Sequence, residues 1–411
     1  MNLLLYTIFL KLYLAGIYIA SIWNGKAGLW IKGRKKFPFF NPSGTETIWM
    51  HCASLGEFEQ GRPLIETIRK QYPAYTIVIT FFSPSGYENE KKFKGADHIF
   101  YLPSDSPRNA KKFVSLINPT LVLWVKYEFW HYYLHELKKR DIPLLLISGA
   151  FREDQPFFKW YGNFWKKMLT CFTYYFVQNE TSKNLLERIN IKEVTVSGDT
   201  RFDRVIAIAE NFEDVPWINE FCGNSKVIVA GSTWEDDEAE WVHYAKTNTG
   251  IKFIIAPHEI DKENLGYVKK EFKGALFYSE LNDLTKGKTN IIIIDNIGML
   301  SRLYKYADIT YVGGGFGYDG LHNILEASVY GKPVIFGPEF EKNFEALELI
   351  ECGGGITITN ALELERTLTD LFNDPRELEK RSAAAKNYVY SNAGATKKIM
   401  EYIQENRRLT S

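Results

Sequence analysis

Two loops in the N-terminal half of the sequence place a carboxylate directly after an apolar run. In the first, Ser54, Gly56 and Glu57 follow the run that ends at Cys52. Small residues allow a substrate to approach the backbone, and a carboxylate in the first turn of a helix is stabilised by the helix dipole. Glu57 can therefore serve as a general base for an acceptor hydroxyl, although a purely structural charge at a helix start explains the local sequence equally well.

The second loop places Glu128 after the apolar run 121–125, with Lys126 before it and Trp130 after it. Lys126 is a candidate ligand for an anion. By spacing alone, the interpretation in which Glu128 only begins a helix and Trp130 only packs is slightly favoured. The functional interpretation requires Glu128, like Glu57, to point into a substrate cleft.

The C-terminal half contains two small-residue turns after apolar runs, at 231–233 and at the triple glycine 313–315. Backbone N–H groups in such turns suit phosphate or a sugar. Neither turn has the G-x-G-x-x-G spacing of a dinucleotide site. Further on, Asn323 and Glu326 begin a helix, where Glu326 can hold a ribose diol or reach back to cap the Asn323 backbone; local sequence does not separate the two.

Length and composition limit the class of protein. A chain of 411 residues is too long for one core, so two domains are expected. Lys+Arg and Asp+Glu number 50 each, so no long-range field favours nucleic acid as a partner. The four cysteines and seven histidines are scattered without metal-ligand spacing, so neither a metal nor another cofactor is expected.

The first 36 residues are interpreted as a membrane-anchoring segment. Residues 1–23 are apolar and are followed by five basic residues between 26 and 36, an order that disfavours a cleaved signal peptide. The segment is just long enough to span a bilayer, but Lys11 and several tyrosines also suit a helix in the membrane interface, and a helix buried on the protein is the remaining alternative. Basic residues after the segment favour a protein body on the cytoplasmic side.

Alternating β-branched runs and amphipathic stretches predict parallel strands joined by helices, hence an α/β fold. Residues 37–205 and 226–411 are predicted to be Rossmann-like domains, joined by a linker at 206–225, with the option that the last helix packs on the N-terminal domain. Ligands bind beyond the carboxyl ends of strands in such sheets, so two domains facing a central cleft are expected. The predicted strands cover 48–52, 76–82, 98–102, 121–125, 143–148, 174–177, 227–230, 253–256, 291–294, 309–312 and 333–336.

Several motifs, spread nearly end to end, together resemble the 3-deoxy-manno-octulosonic acid (Kdo) transferases of lipopolysaccharide core biosynthesis. Singly, none of these motifs is specific. They are Trp49–Glu57, Ser83–Glu88, Tyr127–Trp130, Gly231–Thr233, Asp295–Leu300 and His322–Glu326.

The resemblance implies a GT-B fold and an inverting, metal-independent enzyme on the cytoplasmic face of the cell inner membrane. Its donor would be CMP-Kdo, and its acceptor a lipid A precursor such as lipid IVA. It also implies that Glu57 is the catalytic base, while Glu128 and Arg201 assist the transition state. We assign donor binding to Gly231, Ser232, Thr233, Pro257, His258, Ile297, Gly298, Met299, Gly313, Gly314, Gly315, Asn323, Ile324, Leu325 and Glu326, and acceptor binding to Ser54, Gly56, Ser83 and Lys126.

The sequence departs from the family pattern at several of these positions. Arg201 replaces a more usual lysine, which keeps the charge but changes its geometry. His258 stands where an arginine is usual, Trp234 where a histidine is common, and Lys126 where an acid is common. Recognition of the donor phosphate and of the acceptor is expected to differ accordingly.

Two other functions are compatible with the sequence. One is a membrane-associated GT-B enzyme that transfers a sugar from a UDP-sugar to a lipid. The other is a sugar-nucleotide epimerase of the same shape, which would need neither a lipid acceptor nor an anchor.

Overall fold

The computed structural model describes residues 2–40, 46–126, 128–283, 285, 287–317, 320–406 and 408–409. Tyr127, within the second acidic loop, lies outside the described residues. The chain forms two compact units. Unit 1 comprises residues 1–204 and 393–411, and unit 2 comprises residues 205–392.

Strands and helices alternate along both units. The strands are β1 (Thr47–Cys52), β2 (Thr76–Phe81), β3 (His98–Tyr101), β4 (Pro119–Val125), β5 (Leu144–Gly149), β6 (Tyr174–Val177), β7 (Val194–Val196), β8 (Lys226–Thr233), β9 (Ile251–Pro257), β10 (Leu276–Phe277), β11 (Ile291–Ile293), β12 (Ile309–Val312), β13 (Val334–Phe336) and β14 (Gly355–Thr357). The helices are α1 (Leu3–Ala20), α2 (Gly25–Arg34), α3 (Leu55–Gln71), α4 (Pro84–Glu90), α5 (Pro107–Ile117), α6 (His131–Lys139), α7 (Asn163–Leu169), α8 (Glu180–Arg188), α9 (Thr200–Glu210), α10 (Ile218–Cys222), α11 (Glu235–Thr247), α12 (Lys262–Glu271), α13 (Leu300–Leu303), α14 (Leu325–Ser328), α15 (Phe344–Glu351), α16 (Ala361–Asn373), α17 (Pro375–Ser391) and α18 (Ala395–Glu405).

Unit 1 is built on a parallel sheet of order β3-β2-β1-β4-β5-β6-β7. Successive side chains of a strand point to opposite faces, so β1 contributes to two separate cores. Ile48 and Met50 pack in the core that also contains Ile399 of α18, whereas Trp49 packs in the other with Trp124 of β4. Strand order reverses between β1 and β4, which is where ligands bind in sheets of this kind.

At its C-terminal end the chain returns to unit 1, where Asp203 caps α18. The Asp203 carboxylate accepts hydrogen bonds from the backbone N–H groups of Gly394 and Thr396, both at 2.6 Å. Ile399 and Ile403 then bury one face of α18 in unit 1. Residues 206–225 contain the end of α9 and the whole of α10.

Unit 2 repeats the architecture with a parallel sheet of order β10-β11-β9-β8-β12-β13-β14. The reversal of strand order here lies between β8 and β12, which pair from Ile228 with Ile309 to Gly231 with Val312. The predicted α/β class with two Rossmann-like units is confirmed. The sequence did not predict β7, β10 and β14, which are the short outermost strands of the two sheets.

Helix α1 is long and apolar enough to cross a membrane, judged by length and composition alone. Only Tyr6 and Leu10 on it are buried. Most of its remaining apolar side chains are exposed, for example Leu4 at 67% and Leu12 at 67%.

Candidate functional site

The first acidic loop begins α3 directly after β1. Ser54 is the N-cap of α3, and its backbone N–H donates a hydrogen bond of 3.0 Å to Glu57 Oε2, as does its hydroxyl at short range. Within the described residues, the other carboxylate oxygen of Glu57 accepts no hydrogen bond. Both interpretations of Glu57 are therefore compatible with the structure, because one oxygen caps the helix and the other remains available to accept a proton.

The second acidic loop follows β4, the neighbour of β1. Glu128 Oε2 accepts a hydrogen bond of 3.0 Å from Trp130 Nε1 and lies 3.4 Å from Nε2 of the fully buried His51. The other ring nitrogen of His51 lies 2.9 Å from the hydroxyl of Thr80. His51, at the end of β1, therefore links the two strands on either side of the switch point, a role that the sequence analysis did not assign.

Arg201 is held by a buried carboxylate, Asp199, which is 5% exposed. The Arg201 side chain donates two hydrogen bonds to Asp199 Oδ2, at 2.9 and 2.7 Å. Gln60 and Gln178 donate to the same oxygen, at 2.9 and 2.7 Å. These bonds fix the guanidinium at the edge of the sheet. Asp199 was not predicted, although its place two residues before a candidate catalytic cation was a usable signal.

Lys126 interacts electrostatically with Arg201, Asp199 and Glu57. Burial lowers the pKa of Lys126, the neighbouring Arg201 lowers it further, and the charges of Asp199 and Glu57 oppose the shift. Lys126 also has a left-handed backbone, with φ 61°. Such a conformation is costly for a residue with a side chain and is concentrated at functional sites. Lys126 therefore interacts electrostatically with both Glu57 and Arg201.

The other two predicted acceptor residues also lie near the first loop. The backbone N–H of Ser83 donates 2.7 Å to the carbonyl of Ala53, and the Ser83 hydroxyl lies 2.7 Å from that of Ser85. Gly56 is exposed, and a Cβ there would meet only Ser54 Oγ, at 3.8 Å. The space around Gly56 is therefore open and imposes no need for glycine.

In unit 2, the two small-residue turns pack directly on each other. The backbone N–H of Gly313 donates 2.9 Å to the carbonyl of Gly231, and a Cβ on Gly313 would lie 2.3 Å from the carbonyl oxygen of Ser232. Gly314 has φ 92°, a conformation that favours glycine. Gly313 is thus required for the contact between the two turns, and Gly315 lies beside them. Ser232 has a left-handed backbone, with φ 54°, at the end of β8.

Two buried acids at the start of α11 hold these turns. Asp237 accepts hydrogen bonds from the Tyr311 hydroxyl at 2.6 Å and from the Gly314 backbone N–H at 2.8 Å. Glu238 accepts one of 2.8 Å from the hydroxyl of Thr233, which is 1% exposed. The Thr233 hydroxyl is therefore engaged inside the protein, and only its backbone is placed for a ligand.

Two positions that depart from the family pattern lie in one stack of aromatic rings. The Trp234 ring lies 4.6 Å from the ring of His258, which lies 4.3 Å from that of His322. Trp234 Nε1 donates a hydrogen bond of 3.0 Å to His322 Nε2. The two substitutions are thus spatially coupled, a relation that sequence spacing does not reveal.

The remaining predicted donor residues are distributed over three loops of unit 2. Pro257 ends β9 and is buried, whereas Ile297 is 84% exposed and precedes Gly298 and Met299 at the start of α13. Ile324 and Leu325 are each 1% exposed, so they can meet a ligand only through their backbone. The side chain of Asn323 donates a hydrogen bond of 3.1 Å to Glu326 Oε1, a side-chain contact that the sequence analysis did not predict.

The described residues contain no cluster of three or more His, Cys, Asp or Glu side chains that could hold a metal ion. The cleft expected between the two units remains a prediction.

Glu238, which binds the Thr233 hydroxyl at the end of β8, allows a test of how a buried acid changes the stability of the protein with pH. Burial raises the pKa of Glu238 to about 7, from 4.5, and one of its oxygens has no hydrogen-bond partner. The folded protein therefore binds the Glu238 proton more tightly than the unfolded chain does. The stability that this gives is fully present below about pH 4.5 and is lost as pH rises through about 7. The free energy of unfolding of the wild type, measured with urea, should fall between pH 5 and 8. In Glu238→Gln we expect this fall to be smaller by about 1 to 3 kcal/mol. Glu235→Gln, an exposed acid in the same turn, should leave the fall unchanged; equal pH profiles for wild type and Glu238→Gln would contradict the assignment.

Known Kdo transferases are similar to this chain in sequence. Residues 30–204 match the family described as 3-Deoxy-D-manno-octulosonic-acid transferase (kdotransferase). The chain is 28% identical to the 3-deoxy-D-manno-octulosonic acid transferase of Aquifex aeolicus over 340 residues, which cover 81% of this chain and 88% of that protein. The chain is thus similar to Kdo transferases over most of its length, and residues 30–204 match the family's model. This similarity, together with the two Rossmann-like units, identifies the chain as a glycosyltransferase.

Another relative is longer than this chain. The chain is 28% identical over 367 residues to a bifunctional glycosyltransferase/methyltransferase of Fusobacterium nucleatum, covering 85% of this chain but only 56% of that relative.

Solved structures show the same fold at low sequence identity. A UDP-GlcNAc 2-epimerase from Neisseria meningitidis superimposes with a TM-score of 0.63 at 18% identity, covering 88% of this chain and all of that one. A glycosyltransferase from Rickettsia africae gives a TM-score of 0.58 at 17% identity, covering 88% and 98%. These similarities concern the GT-B fold alone.

Proposed function

We propose that this chain transfers Kdo from CMP-Kdo to a lipid A precursor, such as lipid IVA, with Glu57 as the general base. The observation that carries the proposal is that Lys126, directly after β4, interacts electrostatically with Glu57, in the loop after the neighbouring β1, and with Arg201. These residues supply a carboxylate for a sugar hydroxyl and cations for the negative charges of the donor.

The reaction that this geometry supports is a direct displacement. The acceptor hydroxyl gives its proton to the free oxygen of Glu57 while its own oxygen forms a bond to the anomeric carbon of Kdo. The bond from that carbon to the CMP phosphate oxygen breaks, and CMP leaves with the electron pair. Attack opposite the leaving group inverts the anomeric configuration.

The cations act on the charge that develops during this step. Arg201, fixed by Asp199, can stabilise the departing phosphate or the Kdo carboxylate, and Lys126 can bind the anionic acceptor. Glu128 is proposed to assist from the neighbouring strand. Because these fixed cations supply positive charge, the proposed mechanism requires no metal ion or other cofactor.

We infer that unit 2 binds the CMP portion at the ends of β8, β9 and β12. This edge combines the interlocked turns at 231–233 and 313–315 with Glu326 on the following helix. Backbone N–H groups in these turns suit phosphate, and the Glu326 carboxylate suits a ribose diol.

The membrane partner is proposed to be the cytoplasmic face of the inner membrane, with α1 in the interface. The Tyr6 hydroxyl donates 2.7 Å to the buried Asp105, which holds α1 against unit 1. A helix attached in this way cannot cross the bilayer freely, whereas its exposed apolar face can enter the interface. The exposed apolar side chains of α1 include Leu4, Ile8, Phe9, Leu12 and Ile19, and the exposed Ile22 and Trp23 follow just after the helix.

A mass-spectrometric assay tests the function. The chain, incubated with CMP-Kdo and a tetra-acylated lipid A precursor, should yield a lipid heavier by one or more Kdo units. CMP, but not UDP, should raise the melting temperature. Stabilisation by UDP alone, with no Kdo added to lipid, would overturn the proposal and favour transfer from a UDP-sugar.

A further inference from the structure

The N-terminal helices are attached to the same part of unit 1 that carries Glu128. Besides accepting from Tyr6, Asp105 accepts hydrogen bonds of 3.2 Å from the backbone N–H groups of Tyr132 and Tyr133, in the first turn of α6. The backbone N–H of His131 also donates 3.2 Å to the Tyr6 hydroxyl. One hydrogen-bond network therefore joins α1 to the first turn of α6, which directly follows the second acidic loop.

A second connection runs through aromatic rings and ends on the carboxylate itself. The ring of Tyr13 in α1 stacks on that of Phe82 at 6.4 Å, and Phe82 stacks on Trp130 at 4.7 Å. Trp130 in turn donates its hydrogen bond to Glu128. Burial raises the pKa of Tyr13, and the Glu128 charge adds to the shift, so the two groups interact electrostatically.

Helix α2 also contacts Phe82, through Arg34 and Trp30. The Arg34 guanidinium donates 2.7 Å to the carbonyl of Phe82 and 2.8 Å to that of Leu102, and it lies 3.8 Å from the centre of the Trp30 ring. Burial lowers the pKa of Arg34 to about 9, while the charges of Tyr101, Tyr133 and Glu128 oppose the shift. The ring of Phe82 thus packs against one ring from each N-terminal helix, Tyr13 and Trp30, and against Trp130.

We propose that the N-terminal helices form part of the acceptor site, in addition to binding the membrane, and that Tyr13 is a positioning residue for Glu128. This inference rests on the proposed function, because it assumes that Glu128 serves the lipid acceptor. Removing the Tyr13 ring would take away one of the rings that pack on Phe82 and allow Phe82, Trp130 and the Glu128 carboxylate to move. The effect should appear on the acceptor and not on the donor.

The experiment compares Tyr13→Ala with Tyr18→Ala in detergent micelles. Tyr18 lies on the same helix, is 61% exposed and makes no ring contact within the described residues, so both variants remove one exposed tyrosine from the membrane-facing helix. Tyr13→Ala should lower kcat/KM for the lipid acceptor at least tenfold, with an unchanged KM for CMP-Kdo. Tyr18→Ala should match wild type, and Tyr13→Phe, which keeps the ring, should retain most activity.

Hydrogen exchange measures the same coupling without any reaction. The backbone of residues 128–133 should exchange faster in Tyr13→Ala than in wild type or Tyr18→Ala, because the loop loses its support. Equal exchange in the three proteins, or equal acceptor kinetics, would overturn the inference. If wild type fails to transfer Kdo, the proposed function fails, and the exchange result alone then decides whether α1 positions the loop.

Discussion

Replacing Glu57 by glutamine should lower Kdo transfer by about 10² to 10⁴-fold, the usual contribution of a positioned general base. Glutamine at this position can still accept the hydrogen bonds of Ser54 that cap α3, so the helix start should persist. The substitution therefore separates the two roles that the structure allows, a helix cap and a base. Transfer is measured by mass as lipid-bound Kdo, and CMP affinity, which we place in unit 2, should not change.

Glu59 provides the matched control for this substitution. It lies two residues further along α3 and forms ion pairs with Arg62 at 2.8 Å and Arg204 at 3.4 Å. Glu59→Gln removes the same charge from the same helix turn, and its cost should be limited to weakened, partly exposed ion pairs. Near-normal turnover of Glu57→Gln would show that Glu57 is only a cap, and an equal loss in both variants would point to the overall charge of the helix.

Replacing Arg201 by glutamine is expected to lower kcat by about 10² to 10³-fold, because a fixed donor to the developing negative charge is lost. Arg201→Lys should fall between glutamine and wild type. Lysine keeps the charge but cannot make the two-point contact with Asp199 that orients the guanidinium. Initial rates at saturating CMP-Kdo and acceptor give the measurement.

Arg204, one turn further along α9, is the control for Arg201. It pairs with Glu59 and, at 3.6 Å, with Glu66, and makes no contact with Asp199 within the described residues. Arg204→Gln should keep most of the activity. Comparable losses in Arg201→Gln and Arg204→Gln would indicate damage to α9 in general and would remove Arg201 from the proposed mechanism.

The two central acids could be proposed from sequence because parallel sheets impose a simple rule. Glu57 and Glu128 each follow a buried apolar run, and the carboxyl ends of parallel strands meet at one edge. The partners of these acids could not be proposed in the same way. Asp199 lies far along the chain from Gln60, and three helices and three strands, α3 to β4, separate His51 from Glu128.

The structure changes the interpretation of Gly313 and of the Thr233 hydroxyl. Gly313 appeared to serve ligand approach, but its first requirement is the contact with Ser232. The Thr233 hydroxyl is used by Glu238 inside the protein. Such assignments depend on which atoms meet, and spacing within a loop carries no information about a neighbouring strand.

The α/β class, most strands of both sheets, the apolar first helix and the position of the acids at strand ends could all be predicted from the amino-acid sequence, because each leaves a local, periodic signal. Outermost strands of two or three residues leave too short a signal, and β7, β10 and β14 were therefore missed. The hydrogen bonds from Arg201 to Asp199, the stacking of Trp234 with two histidines and the packing of Tyr13 on Phe82 become visible only in the folded chain. These contacts join distant segments, and their free energy depends on burial and geometry that exist only once the chain has folded.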